Sequence, residues 1–273
     1  MTVSEFRARK SVGDPLVCVT AYDAPFARLA ERAGVDALLV GDSVGRTVLG
    51  HDNELPVRID DIVHHSAAVT RAVTSALVIA DLPHMSYATV DIALRNAARL
   101  LQAGGVSAVK LEGGEETATV TAALTSRGFP VMAHVGLTPQ TAYALGGYRV
   151  QGVRLSAAQA IVDDARAQAD AGAFAIVLEL VPAGLARAIT RHLDIPTIGI
   201  GAGPHCDGQI QVIYDLFGFA ETTHRHTRVF ANIAGLAQSA LADYARDVRD
   251  GAFPAPDQNF KGNRGVVDRL KFD

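Results

Sequence analysis

A chain of 273 residues has the length of one (β/α)8 barrel, and its 49% hydrophobic content suffices for a substantial core, so a single domain spanning 1–273 is expected. With a net charge of −4 and acids and bases mixed along the chain, it offers no basic footprint for DNA, RNA or an anionic membrane. Two cysteines exclude a disulfide framework and no apolar run reaches membrane-spanning length, so the expectation is a cytoplasmic protein handling small molecules.

The opening residues, MTVSEFRARKSVGD, lack the apolar centre of an export signal. Beyond them, short β-branched runs alternate with Ala-rich stretches of helical spacing, the pattern of a parallel sheet covered by helices. The predicted strands are Leu16 to Val19, Ala37 to Val40, Leu77 to Ala80, Ala108 to Leu111, Val131 to Ala133, Ala175 to Leu178, Thr197 to Ile200 and Gln211 to Tyr214. The stretch Ser156 to Ala171 typifies the helices: Ser156 as the cap, Ala158, Ile161, Val162, Ala165 and Ala169 on one face, and Gly172 as the stop. After Tyr214 come His224-Arg225-His226-Thr227-Arg228, a helical stretch around Ile233 to Val248, and a polar C-terminal extension from about 249 to 273. The fold class that follows is α/β, a (β/α)8 TIM barrel.

One device recurs. Ala33-Gly34 leads through Ala37 to Val40 toward Asp42, Ala103-Gly104 through Ala108 to Leu111 toward Glu112, and Ala171-Gly172 through Ala175 to Leu178 toward Glu179. Asp81 follows Leu77 to Ala80 in the same way. In a parallel barrel the strand ends share one mouth, so these acids converge where such barrels build their sites. Taken singly, each acid also reads as a cap for the next helix or as a partner for a neighbouring base. Taken together, carboxylates that repel and lose hydration call for a bound cation. Asp42, Asp81 and Glu112 are hard oxygen donors, which favours Mg2+, with Mn2+ or Co2+ as substitutes. Lys110 stands two residues before Glu112 on one strand, so both project to one face. It is placed to hold a substrate carboxylate or to pair with the acids. His134 ends the fifth strand ahead of Thr138-Pro139, which reads as a helix start, and serves either as a hydrogen-bonding or proton-relay group or as a satisfied core histidine.

Two motifs point elsewhere. Gly41-Asp42-Ser43-Val44-Gly45 fits the nucleophile elbow of serine hydrolases, but that elbow needs a helix directly after Ser43, whereas Arg46 to Pro56 reads as a loop. Gly199-Ile200-Gly201-Ala202-Gly203 lacks the following helix and acid of a dinucleotide site and reads as a tight turn or a loop shaping the mouth.

The chain resembles the ketopantoate hydroxymethyltransferase family in Thr20-Ala21-Tyr22-Asp23, Val40-Gly41-Asp42-Ser43, Gly50-His51, Leu55-Pro56-Val57, Ala80-Asp81-Leu82-Pro83, Lys110-Leu111-Glu112-Gly113-Gly114, His134 through Gln140, Gly146-Gly147-Tyr148, Gly199 through Gly203, and Asp207-Gly208-Gln209. The resemblance implies transfer of a hydroxymethyl group from 5,10-methylenetetrahydrofolate, as co-substrate, to 3-methyl-2-oxobutanoate, giving 2-dehydropantoate on the route to pantothenate. It implies Mg2+ on Asp42, Asp81 and Glu112, a 2-oxoacid contacted by Asp42, Ser43, Asp81 and Lys110, Glu179 as proton acceptor, and a cytoplasmic homo-decamer. His84, Arg149 and the stretch His224 to Arg228 depart from the family's pattern, which bears on the folate side and on subunit packing more than on the ion. A Mg2+-dependent lyase of the isocitrate-lyase or phosphoenolpyruvate-mutase type is the nearest rival, but no Cys-bearing loop precedes the fifth strand. A non-catalytic sensor of 2-oxoacids has no need of Glu179 beside the full acid set.

Overall fold

In a computed structural model that describes residues 1–220, 224–262 and 264–271, eight parallel strands close into a barrel in chain order. They are β1 (Leu16–Thr20), β2 (Ala37–Val40), β3 (Leu77–Asp81), β4 (Ala108–Glu112), β5 (Val131–Gly136), β6 (Ala175–Glu179), β7 (Thr197–Ile200) and β8 (Gly208–Gln211), with β8 pairing back onto β1. Side chains alternate across each strand and build two layers. Leu16, Cys18, Leu39, Leu77, Ile79, Ala108, Met132, Val177 and Ile198 form one buried cluster in the lumen, and the residues between them, such as Leu38, Val40, Val78, Ala80, Val109 and Leu111, pack beneath the helices. Each large side chain so buried contributes about 1.5–3 kcal/mol. At the N-terminal end, the helix Val3–Val12 is started by a Thr2–Glu5 capping box and inserts Phe6, fully buried, edge-on to Phe174 at 5.7 Å.

Seven of the eight predicted strands match in position, and five of these run on by one to three residues. All five gain a polar or charged residue because that residue joins the ladder: Thr20 pairs with Leu39, Asp81 with Lys110, Glu112 with His134, and Glu179 with Gly136. The last strand is a correction. It spans Gly208–Gln211 instead of Gln211 to Tyr214, and Ile213–Leu216 is a helical turn. Gly208 looks unsuited to a strand, yet an added Cβ would lie 2.5 Å from the Leu16 carbonyl oxygen, so only glycine allows β8 to close against β1. No helix separates β7 from β8, so the seventh βα unit is incomplete. Pro204 interrupts the connecting stretch, and Asp207 closes it by accepting from the Thr197 N–H at 2.8 Å and the Lys10 ammonium at 2.8 Å.

The helix predicted from Ser156 spans Leu155–Asp170, so Ser156 lies inside it and Arg154 holds the cap position without a side-chain bond. The C-terminal helix, Ile233–Arg249, buries none of its residues. In the extension after it only a turn at Pro256–Gln258 and the short helix Arg264–Val267 are regular, while Asn263, Phe272 and Asp273 lie outside the described residues. No helix among the described residues is long and apolar enough to cross a membrane.

Candidate active site at the mouth of the barrel

The lumenal rows continue upward from Leu77 and Ile79 to Asp81, from Ala108 to Lys110 and Glu112, from Met132 to His134, and from Ala175 and Val177 to Glu179. Strand alternation alone therefore turns these groups inward. Asp42 and Ser43 follow β2 and join them, so every predicted site residue lines one cavity of about 770 Å3. Asp42, Asp81, Lys110, Glu112 and His134 are each at most 4% exposed.

Their contacts form a continuous chain. Lys110 Nζ lies 2.7 Å from Asp81 Oδ1, and Asp81 Oδ2 accepts from the Asp42 N–H at 2.9 Å. His134 bridges two acids, with Nδ1 3.4 Å from Glu112 Oε1 and Nε2 3.2 Å from Glu179 Oε2. Burial, reinforced by the charges of Asp81 and Glu112, holds the Asp42 carboxyl well above its ordinary range. Burial also raises Asp81, against the pull of Lys110. Glu112 goes the other way: burial would raise it, but bonding to His134 and Gln140 and the charge of Lys110 bring it down. For His134, burial and Lys110 push down, and the bonds to Glu112 and Glu179 outweigh them, holding the imidazole up at about 9. For Lys110, burial is outweighed by Asp81, Glu112 and Asp42, and the ammonium is raised. The set thus carries more buried negative charge than Lys110 and His134 offset, since His134 is shared with Glu179.

Three further residues organise the site. Gln140, buried, donates its N–H to Glu112 Oε2 (3.0 Å) and Nε2 to Asp42 Oδ2 (2.8 Å) and the Leu82 carbonyl (3.0 Å), while its Oε1 accepts from Tyr87 Oη (2.6 Å). The predicted helix start at Thr138-Pro139 becomes a single 3-10 turn, Pro139–Thr141, which delivers Gln140. Tyr87 also donates to the Glu112 carbonyl at 3.0 Å. Tyr22 Oη is 2.7 Å from Ser43 Oγ, and its ring stacks on Tyr214 at 5.9 Å. Gln140 ends the His134 through Gln140 stretch that carries the family resemblance, which gives it no role, and nothing in the sequence singles out Tyr87. A helical turn, Val44–Thr47, does follow Ser43, contrary to the expected loop, because Gly45 packs within reach of Val57 and Asn53. The hydrolase reading falls on other grounds: the Ser43 hydroxyl is bonded to a tyrosine and its backbone is ordinary right-handed helix (φ −53, ψ −15).

Glu179 is the least buried of the charged groups, its side chain 16% exposed toward the cavity. Leu180, next to it, has φ 46, a left-handed conformation that costs a leucine about 1–3 kcal/mol. It is held there because its N–H donates to the Ile200 carbonyl (2.9 Å) and its own carbonyl accepts from Gln151 (2.8 Å). Across the ladder, Gly136 sits at φ 97, and a Cβ there would fall 2.4 Å from the Glu179 carbonyl oxygen.

Among the described residues no group of three or more His, Cys, Asp and Glu side chains is arranged to hold an ion by itself. Mg2+ does not require such a cage, since it is commonly held by one or two carboxylates and keeps several waters. Asp42 and Asp81, adjacent and raised in pKa chiefly by burial, fit that donor set. Glu112 has both oxygens engaged, by Gln140 and His134, as Asp81 has by Lys110 and the Asp42 N–H. Of the departures in the sequence, His84 and Arg149 are exposed and outside the cavity, whereas His224, Arg225 and His226 line its rim.

The sequence profile of a family described as ketopantoate hydroxymethyltransferase matches residues 1–256. Relatives named 3-methyl-2-oxobutanoate hydroxymethyltransferase are similar over nearly the whole chain. The one from Heliobacterium modesticaldum is 47% identical, covering 99% of this chain and 98% of its own. That from Thermus thermophilus is 49% identical, covering 95% and 99%. Among solved structures, phosphonopyruvate hydrolase superimposes with a TM-score of 0.63 at 18% identity, covering 98% of this chain and 94% of that one. The structure of 2,3-dimethylmalate lyase does so at 0.59 and 19%, covering 98% and 93%; at such identities the likeness is one of fold.

Proposed function

We propose, from the premise that the chain belongs to the ketopantoate hydroxymethyltransferase family, how the barrel mouth carries out that family's reaction. The chain is a transferase that moves a hydroxymethyl group onto 3-methyl-2-oxobutanoate to give 2-dehydropantoate, with 5,10-methylenetetrahydrofolate as one-carbon donor and water supplying the hydroxyl oxygen. The observation that carries the site assignment is the surplus of buried carboxylate at the strand ends, with Lys110 and His134 interleaved and Glu179 facing the same cavity.

Asp42, Asp81 and Glu112 would hold a divalent cation, Mg2+ with Mn2+ or Co2+ as substitutes. When bound, the ion withdraws electrons from the substrate's keto group and so acidifies the hydrogen on C3. Lys110 has three donor positions and spends one on Asp81, which leaves donors for the 2-oxoacid carboxylate. Ser43, its hydroxyl oriented by Tyr22, hydrogen-bonds the same substrate. Glu179 takes the C3 proton, and His134, at 3.2 Å from Oε2, fixes that carboxylate and leaves Oε1 for the transfer. The carbanionic C3 then forms the new carbon–carbon bond to the one-carbon unit, water gives that carbon its hydroxyl, and the two carbon–nitrogen bonds to the folate break, its nitrogens taking up the proton lost from C3 and one from water so that tetrahydrofolate leaves.

The assembly belongs to the same proposal: a cytoplasmic homo-decamer. Leu236 and Leu241 on the helix Ile233–Arg249 are 67% and 68% exposed, with Phe230 and Phe260 nearby in sequence, which supports burial against another copy.

The test follows the C3 proton of 3-methyl-2-oxobutanoate by NMR in deuterated water, with and without Mg2+, before and after adding the folate. Exchange that needs the metal but not the folate, with product only after folate, is expected. Cleavage of a carbon–carbon bond in place of product would return the lyase reading.

A further inference from the structure

We infer that the rim formed by Arg46, His224, Arg225 and His226 docks the carboxylates of the folate's glutamate tail, an inference that rests on the folate reading above. The cavity is zoned. The strand ends supply its buried acids and Lys110, while its more exposed lining combines Val150, Leu180, Tyr214 and Phe219 with the four basic residues and with Asp52 and Asp215. A volume of about 770 Å3 far exceeds the need of a five-carbon acid and falls in the range of roughly 300–1,000 Å3 that suits larger ligands. A reduced folate has the matching order of chemistry: a reactive end, a flat ring system, and a terminal glutamate bearing two carboxylates.

Arg46, His224 and His226 are presented in a way a purely solvated group would not be. Arg46 lies with its guanidinium 5.5 Å from the centre of the Tyr148 ring and 3.8 Å from buried Glu54, which itself accepts from Tyr148 Oη at 2.6 Å, so its direction is set. The rings of His224 and His226 stack at 5.5 Å with an 11° interplanar angle, and Gln211 Nε2 reaches the His226 carbonyl at 3.4 Å, tying the segment to β8. Arg225 is exposed and makes no ion pair among the described residues. His224, His226 and Arg46 all act on the Asp215 carboxyl, which places the three in one neighbourhood; burial raises that carboxyl against them. A chain of net charge −4 thus places Arg46 and Arg225, beside two histidines of which His226 is held below its ordinary range by burial and by His224, at the edge where the larger substrate must enter, with Asp52 and Asp215 lining the same cavity. Each further γ-linked glutamate adds one carboxylate, so affinity should rise with tail length and fall with salt.

The experiment titrates Mg2+-loaded enzyme with p-aminobenzoyl mono-, di- and triglutamate by calorimetry, and compares KM for mono- and triglutamyl methylenetetrahydrofolate. The triglutamate should bind roughly tenfold more tightly than the monoglutamate, as two or three partly exposed ion pairs allow. Arg225→Gln should remove most of that length preference and Arg225→Lys should retain most of it, with circular dichroism confirming the fold of both. Equal affinity at every length, or a length preference that survives Arg225→Gln, overturns the inference while turnover with methylenetetrahydrofolate leaves the folate reading in place. No turnover with any methylene folate removes the folate reading and the inference with it.

Discussion

Replacing Lys110 with methionine keeps the bulk of the side chain and deletes the ammonium that lies 2.7 Å from Asp81. Both groups are buried, Lys110 at 4% exposure and Asp81 at 2%, so the loss leaves a carboxylate that water does not reach. Breaking a buried pair in this way costs about 3–5 kcal/mol. An independent ceiling comes from protonation: a carboxylate of ordinary pKa ~3.9 that folds neutral at pH 7 takes up a proton at a cost of about 4 kcal/mol. The expected loss is therefore about 3–4 kcal/mol, read by urea unfolding in a chelator at fixed protein concentration. The sign of the pH dependence is set by that proton. The folded variant binds it and the unfolded chain above pH ~4 does not, so the penalty shrinks by about 1.4 kcal/mol for each unit of acidification. Adding Asp81→Asn to Lys110→Met should recover much of the loss, because no charge is then stranded. A single variant within about 1 kcal/mol of the parent at pH 7, the scale of a surface pair, or a penalty that grows on acidification, refutes the reasoning.

Glu179→Gln should keep metal and 2-oxoacid binding while lowering both C3 exchange and turnover by about 100-fold or more; near-normal exchange would remove Glu179 from the base role. Asp81→Asn should weaken metal affinity, and an unchanged calorimetric titration with Mg2+ would count against its place at the ion. Gly136→Ala forces alanine to φ 97 and puts a methyl 2.4 Å from the Glu179 carbonyl, so kcat should fall by up to about 100-fold as the β6 end shifts, with Mg2+ affinity kept. Far from the site, Glu31 accepts N–H bonds from Ser75, Ala76 and Thr74, and these hold its carboxyl down at about 2. Its contribution is present above the unfolded value near pH ~4.3 and is lost as the pH falls toward 2. Glu31→Gln should lower stability at pH 7 by about 1–2 kcal/mol and flatten the acid limb of the melting curve.

The barrel was legible because the lumenal layer repeats every second residue and each run of apolar residues ends in a group too polar for the interior. Asp81, Glu112 and Glu179 stand out for that reason, and Lys110 shares the parity of Glu112. What escaped depends on contacts distant in sequence. Gln140 matters through Asp42, 98 positions away, and no local pattern encodes that bond. The eighth strand escaped because its first residue is chosen by the approach of Leu16, so glycine stands where propensity favours a branched residue. The helical turn after Ser43 was hidden by Gly50, Asn53 and Pro56, residues that ordinarily argue against a helix. The helix missing after β7 was masked by the expectation that the alternation never lapses.

The pairing of Asp81 with Lys110 across β3 and β4, and of Glu112 with His134 across β4 and β5, bears on how the barrel closes as well as on what it catalyses. Between neighbouring β-branched and leucine-rich strands, hydrocarbon contacts alone discriminate weakly against a shift of one position. Here such a shift would rotate an ammonium or a carboxylate out of the polar ring and into the layer of Val109, Leu111 and Ala80 beneath the helices, at a penalty of several kcal/mol. The charged ring thus favours one strand alignment over its neighbours, whether or not a substrate is bound.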